Sequence, residues 1–195
     1  MTMNKKKYPL VPMAVYLPLA VVLLGWGSVG MTMWEWSLHF AVGLLLWTFI
    51  EYAMHRFVFH APKLMALLGG GPVHYRHHQS PAEVEFIATP LSFSLPVAAF
   101  VWVLLRLTLG TWEKTAAAMA GVILGYLVYE AVHLRIHTFS GGGAALRRLR
   151  RHHYRHHFSD PEVCFGVSTP IWDAVLQTLP RKSTHSEAAS RSGVS

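Results

Sequence analysis

A string of five residues occurs twice in this chain. The sequence HYRHH stands at positions 74–78 and again, unchanged, at 153–157. A pair of histidines precedes each copy, and the spacing between equivalent positions is 77 to 79 residues throughout, so the duplication covers a whole module. The ten histidines of these four clusters are His55, His60, His74, His77, His78, His133, His137, His153, His156 and His157.

Histidines at this spacing predict metal binding. On a helix, the three imidazoles of HxxHH span about 100° of one face, so all three can converge on one point, while which five histidines bind each metal stays open. Neutral imidazole is the commonest nitrogen ligand of iron, zinc and copper. The single cysteine, Cys164, excludes a cysteine-rich metal site and an internal disulfide. Ten imidazoles are too many for one ion, so two ions with about five histidines each is the natural partition.

Composition indicates a membrane protein. Hydrophobic residues make up 52% of the chain and charged residues only 14%, against about 25% charged residues in an ordinary soluble domain. Four apolar segments predict spans of a hydrocarbon core about 30 Å thick, namely residues 8–30, 38–50, 86–105 and 115–134. The first is too long for a signal peptide, so we expect it to be retained. The predicted fold class is an all-α integral membrane four-helix bundle of two repeated hairpins, with a histidine-rich two-metal cap.

The distribution of charge predicts the orientation. With all the histidine clusters on one side, the other side carries only Arg106 and Lys114 of the seventeen lysines and arginines. The positive-inside rule then places both termini and the metal site in the cytoplasm, at a bacterial inner membrane or a membrane of the endoplasmic-reticulum type. Residues 1–180 are predicted to form one membrane domain, and residues 181–195 a disordered tail.

Two elements are predicted outside the spans. Residues 144–157 form a helix that carries the second HxxHH and a run of arginines, which favours contact with anionic lipid rather than nucleic acid. A short helix follows, with Thr169 as its cap, Pro170 at its first position and Asp173 as a favourable early-helix charge. Within 144–157, His153 matches the repeat and adjacent His152 does not, so we expect His152 to face away from the ion.

The residue types favour redox chemistry. A nitrogen-rich, open site in a lipid-facing bundle suits redox iron and oxygen activation. Zinc hydrolysis normally uses three ligands and a water, and the chain has no HExxH string. A transporter carries polar residues near the midplane of the membrane, and the first and third predicted spans carry almost none. A non-catalytic metal-binding or metal-transport protein is the alternative from another class.

The histidine clusters resemble the motifs of a known family. Residues 51–60, EYAMHRFVFH, look like the HxxxxH motif of the fatty acid hydroxylase superfamily, particularly the fatty acid 2-hydroxylases. The two copies of HYRHH, the first with Pro81 three positions beyond it, resemble the two HxxHH motifs, and residues 133–137 resemble the HxxxH motif. The second copy is followed by FGV at 165–167 and WD at 172–173, which resembles the C-terminal signature. The similarity covers residues 51–179.

This resemblance implies a membrane di-iron mono-oxygenase that hydroxylates a fatty acyl or related lipid chain with O2 and two external electrons. Sterol desaturases and carotene hydroxylases share the motifs and are the alternatives within the class. Two iron ions are the implied cofactor, for which zinc can substitute in isolated protein. Fatty acid 2-hydroxylases often carry a fused cytochrome b5 domain, which we do not expect here because the sequence has neither the length nor the motif for it. We therefore expect a separate donor, namely cytochrome b5, a ferredoxin or a reductase.

Two glutamates stand at matched places in the repeat. Glu51 lies four positions before His55, and Glu130 three before His133. Carboxylates often orient a metal-bound imidazole and offset the charge of the ion. We expect both to lie behind the ligands in this role.

Overall fold

The structure, a computed structural model, describes residues 10–68 and 72–180. These residues form eight α-helices and no strand, in agreement with the all-α prediction. The helices are α1 (Leu10–Gly27), α2 (Met33–Ala53), α3 (Pro62–Leu67), α4 (Val73–Gln79), α5 (Leu91–Leu109), α6 (Trp112–Thr138), α7 (Ala144–Phe158) and α8 (Ile171–Val175). A π-helical segment, Met54–Phe59, extends α2, and a 3-10 turn, Val84–Phe86, precedes α5. The predicted tail 181–195 lies outside the described residues.

Three stretches of helix are long and apolar enough to cross a membrane, namely Met33–Phe59, Val84–Leu109 and Trp112–Thr138. They correspond to the second, third and fourth predicted spans. The described part of the first predicted span is α1, which is apolar but shorter.

Helix α6 is the centre of the bundle. Within its apolar span 78% of the residues are buried, against 17% and 22% for the other two spans. It packs against α1, α2 and α5. The side of α6 that meets these helices is rich in alanine and includes Gly121, and small residues let helix backbones approach closely in a membrane. A Cβ on Gly121 would lie 2.2 Å from the carbonyl oxygen of Phe40 on α2. The exposed apolar faces of the outer helices are free to meet lipid.

Polar caps fix where the long helices begin. Thr32 and Glu35 form a reciprocal capping box at the start of α2. Thr111 accepts a hydrogen bond from the backbone N–H of Lys114 at the start of α6. Gly110, with a φ of 76°, ends α5 in the left-handed conformation and reverses the chain. The far ends of α2 and α6 therefore lie on the same side of the bundle, and both carry histidines.

Arg150 fixes α7 against the end of α6. Its guanidinium donates hydrogen bonds to four backbone carbonyls in and just after the last turn of α6 (Ile136, Phe139, Ser140 and Gly141). These carbonyls have no partners within the helix, so one arginine caps the helix that carries His133 and His137.

Candidate metal centre

The ten histidines of the repeat come together as two groups of five. The first group is His55, His60, His74, His78 and His156, and the second group is His77, His133, His137, His153 and His157. In each group one nitrogen per imidazole lies within 4.8 Å of the others. Each group could hold a metal ion, with the number of ligands expected from the sequence.

The two groups obey the same rule. Each contains four histidines of one half of the repeat and the middle histidine of the HxxHH of the other half. The middle histidines are His77, which belongs to the second group, and His156, which belongs to the first. Although the three histidines of one HxxHH share a helix face, they do not all converge on one group. Positions i and i+4 are about 40° apart around a helix and i+3 is about 100° from i+4, so the middle imidazole points across to the partner site.

The nitrogen atoms of the first group are spaced as ligands of one ion. The Nε2 atoms of His60, His156, His78 and His74 form a closed ring with edges of 3.0, 3.2, 3.1 and 3.3 Å. Two nitrogens bound at right angles at about 2.1 Å from one ion lie about 3.0 Å apart. The fifth nitrogen, Nε2 of His55, is buried and has no hydrogen-bond partner. The donor set fits a cation.

The second group repeats this spacing. Nε2 of His153 lies 2.9 Å from that of His137 and 3.0 Å from that of His157, and the Nε2 atoms of His133 and His77 are 3.0 Å apart. Both groups therefore offer nitrogen atoms at the same spacing.

Backbone carbonyls behind the imidazoles select the nitrogen that faces the ion. Nδ1 of His55 lies 2.5 Å from the carbonyl oxygen of Phe165, and Nδ1 of His156 lies 2.9 Å from that of Val163. A carbonyl only accepts, so Nδ1 carries the proton and Nε2 keeps its lone pair for the metal. The segment after the second HxxHH thus orients two ligands of the first group.

Burial keeps the imidazoles outside the spans neutral. It is the main cause that lowers the pKa of His78 to about 4 and that of His156 to about 3. Burial, reinforced by neighbouring imidazoles, also lowers the pKa of His74 and His153 well below the usual value. A histidine binds metal only when it is neutral, so these sites are ready for an ion at neutral pH.

A π-helical segment compensates for the different spacing of the two upstream pairs of histidines. His55 and His60 are five residues apart, whereas the equivalent His133 and His137 are four apart. The π-helix Met54–Phe59 lies within the longer interval, and its i to i+5 pattern makes five residues act as one turn. The extra residue of the first half is absorbed there, and both pairs present their imidazoles alike. The difference in spacing was the sequence signal for this element.

Both glutamates are hydrogen-bonded to loop backbone. Glu51 accepts from the backbone N–H groups of Val167 (2.6 Å) and Ser168 (2.8 Å) and from the Ser168 hydroxyl, while Glu130 accepts from the backbone N–H of Thr89 (3.0 Å). These bonds run to loop backbone rather than to an imidazole. The carboxylates are buried behind the site, but they hold segments of chain in place.

Asp173 lies in the first turn of α8, as expected from the sequence, and it also makes contacts near the site that the sequence did not predict. It is fully buried and accepts four hydrogen bonds, from Phe165 N–H (2.8 Å), Gly166 N–H (2.9 Å), Thr178 Oγ1 (2.7 Å) and His152 Nε2 (2.9 Å). Although burial favours the neutral acid, these bonds lower the pKa of Asp173 below its usual value, so it is charged. His152 therefore lies outside both groups and ties α7 to the segment that orients His55. The WD pair at 172–173 was the signal, but its partners were not predictable.

A series of pockets runs from the bundle to the site. An apolar cavity between the long helices is lined by Phe59, Thr89 and Tyr129 where it approaches the histidines. These three residues also line a second, smaller pocket, whose wall includes His74 of the first group and His133 of the second. A third, open pocket shares Phe59 and His74 with the second. Phe59 thus borders all three.

The fold and site define a class of helical proteins with membrane-capable helices and two histidine groups, each of which could hold a metal ion. The family model described as fatty acid hydroxylase matches residues 40–178. The chain is 34% identical to the fatty acid 2-hydroxylase of Mus musculus over 75% of its own length and 40% of that protein. It is 30% identical to the dihydroceramide fatty acyl 2-hydroxylase FAH2 of Arabidopsis thaliana over 85% of its own length and 71% of that protein.

A solved structure of full-length scs7p, in which only the hydroxylase domain is visible, has the same fold. Its TM-score is 0.77 at 26% identity, and the match covers 89% of this chain and 67% of that one. The chain belongs to the fatty acid hydroxylase family. It spans well under half of the length of the mouse relative.

Proposed function

We propose that this protein is a membrane di-iron mono-oxygenase that hydroxylates a fatty acyl chain. The observation that carries the proposal is the pair of five-histidine groups beside an apolar cavity in the bundle. The balanced reaction is R–H + O2 + 2 e⁻ + 2 H⁺ → R–OH + H2O. Two iron ions would supply the activation of oxygen, with the first and second groups as their ligands. The protein's own contribution is to hold neutral imidazoles, to place the chain and to limit water.

The pockets support a path for the substrate. The acyl chain lies in the apolar cavity, and the C–H that reacts lies in the small pocket between His74 and His133. The polar end of the lipid lies in the open pocket, which His60 and Tyr75 help to line. A reactive carbon next to the polar end is the position that the names of the relatives describe, so we propose hydroxylation at carbon 2.

An acidic redox protein is the proposed electron donor. Arg147, Arg148, Arg151 and Arg155 are exposed on α7, on the face opposite the ligands His153 and His156. One helix thickness, about 10 Å, separates this basic face from the ions, and electrostatic complementarity speeds encounter. Arg148→Glu together with Arg151→Glu is expected to slow reduction by the natural donor and to leave reduction by a small chemical reductant unchanged. Equal slowing with both reductants contradicts this surface.

Substrate conversion tests the proposed function. Iron-loaded protein in lipid nanodiscs, supplied with reductant, O2 and a saturated fatty acyl lipid, is expected to form a product one oxygen heavier. The oxygen comes from 18O2. The control variant His39→Ala removes a histidine of α2 that belongs to neither group, and it is expected to keep activity, whereas His74→Ala loses it. A product lighter by two hydrogens assigns a desaturase. Iron binding without O2 consumption in the presence of lipid assigns the non-catalytic metal-binding alternative.

The proposed topology places both termini and the metal centre in the cytoplasm. We base it on the positive-inside distribution of lysine and arginine. Single cysteines in a Cys164→Ser background test it with membrane-impermeant reagents. Ser140→Cys, after α6, is expected to react only from the cytoplasmic side, and Glu113→Cys, at the start of α6, only from the other side. The reverse pattern would overturn the orientation.

A further inference from the structure

Each half of the repeat carries a buried glutamate shortly before the first histidine of its upstream pair. Glu51 and His55 lie on α2 and its π-helical extension, and Glu130 and His133 lie on α6. Both carboxylates are only 3% exposed. A buried carboxylate needs hydrogen-bond donors, and both find them in backbone outside their own helix.

The residues that donate to the two glutamates stand at equivalent positions of the repeat. Each glutamate accepts from a residue of the other half. Glu51 binds Ser168, which lies eleven residues after His157, the last histidine of the second HxxHH. Glu130 binds Thr89, which lies eleven residues after His78, the last histidine of the first. Each glutamate thus holds the segment that follows the HxxHH of the other half. The middle histidines cross between the halves in the same sense.

The segment that Glu51 holds turns a carbonyl toward His55, which follows Glu51 on the same helix and its extension. The Phe165 carbonyl, three residues before Ser168, meets Nδ1 of His55 at 2.5 Å. In the other half, Ile87, Thr89 and His133 line the same pocket, and His133 Nδ1 is buried without a hydrogen-bond partner. A path therefore leads from the Glu51 carboxylate through backbone to the His55 imidazole, and the equivalence of the two halves assigns the same path to Glu130.

We propose that Glu51 and Glu130 are positioning residues. Glu51 orients His55 and Glu130 orients His133, each through the segment that follows the HxxHH of the other half of the repeat. The role rests on the proposed metal sites and concerns geometry, not charge. Disruption of the groups behind a metal ligand typically weakens metal affinity by about 10- to 100-fold. The structure also predicts which ion each substitution affects, because Glu51 acts on the first group alone and Glu130 on the second alone.

Metal stoichiometry under competition with a chelator tests this, with zinc as the probe. Wild type is expected to retain two ions, and Glu51→Ala and Glu130→Ala one each. Double variants identify the lost ion. Glu51→Ala with His74→Ala affects one group twice and is expected to retain one ion, whereas Glu51→Ala with His153→Ala affects both groups and retains none. Glu113→Ala, at the other end of α6, is the control and keeps two ions.

Glutamine variants separate positioning from charge. The side-chain oxygen of glutamine can still accept from backbone N–H groups, so Glu51→Gln and Glu130→Gln are expected to restore the second ion at the same chelator concentration. Where an alanine variant does not accumulate, Glu51→Asp or Glu130→Asp replaces it, because the shorter side chain loses its reach and is expected to lose the same single ion.

Three results overturn the inference. They are a loss in the glutamine variants equal to that in the alanine variants, loss of both ions from a single substitution, and retention of both ions in the alanine or aspartate variants. Fewer than two ions in wild type would instead overturn the proposed two-metal function itself.

Discussion

Replacement of Asp173 by asparagine is expected to destabilise the segment that orients His55. The two carboxylate oxygens of Asp173 each accept two hydrogen bonds: Oδ1 from Phe165 and Thr178, and Oδ2 from Gly166 and His152. In asparagine one of these positions becomes an NH2 group, which only donates.

The cost follows from which partners can adapt. The Thr178 hydroxyl can turn to accept, and His152 can change tautomer, but the N–H of Phe165 or of Gly166 loses its acceptor whichever way the amide is oriented. One unpaired buried N–H costs about 1–3 kcal/mol, and the surviving bonds lose their charge assistance, which adds about 1 kcal/mol. A total of about 3 kcal/mol lowers the Tm by about 6–12 °C for a chain of this length.

Thermal unfolding of the metal-free protein in detergent measures this cost. Asp160→Asn is the control, because Asp160 is exposed and accepts one backbone hydrogen bond, from Glu162; its Tm is expected to stay within about 2 °C of wild type, as for most surface substitutions. Ion content should fall in Asp173→Asn, with the first group emptied before the second. Equal Tm values for the two variants would refute the view that Asp173 holds this segment.

Three further predictions concern ligands, packing and metal. His153→Ala is expected to reduce the ion content from two to one, while His152→Ala keeps both ions and loses only the stability supplied by its bond to Asp173; equal ion loss in the two variants contradicts the register of the repeat. Gly121→Ala forces the backbones of α2 and α6 apart and is expected to cost about 3 kcal/mol in thermal unfolding, whereas Gly25→Ala, with open space around it, is expected to change stability little. Chelation is expected to abolish turnover, and re-addition of iron to restore it; activity that survives removal of both ions contradicts the metal-dependent reaction.

The repeat in the sequence predicted which histidines form the site better than it predicted which of them lie together in one group. It predicted two groups with about five histidines each, because the composition of the four clusters is visible directly. It predicted α7 as residues 144–157 against the observed Ala144–Phe158, because the apolar and histidine positions share one face. The placement of His152 outside both groups followed from the same periodicity.

The crossing of the middle histidines was not predictable from periodicity. A helical pattern gives the angles between the side chains of His74, His77 and His78, but it does not show which other histidines each side chain faces. That depends on how the two halves pack, and therefore on close contacts such as Gly121 against α2. The same limit applies to Glu51, whose partners are more than a hundred residues away in sequence.

The segment 163–168 carried no periodic signal, so its role became visible only in three dimensions. It contains no ligand, yet its carbonyls meet two imidazoles and its N–H groups meet two buried carboxylates. Irregular backbone must find partners for its polar groups when it is buried. Here the partners are the metal ligands and the acids behind them.

The crossed ligands join metal binding to the assembly of the whole protein. One half of the repeat supplies four imidazoles to its own group, and the fifth arrives only when the HxxHH of the other half has docked. The glutamates also join the two halves, because each accepts hydrogen bonds from a segment of the other half. An ion therefore binds the assembled state more tightly than either half, and by mass action it stabilises the contact between the halves.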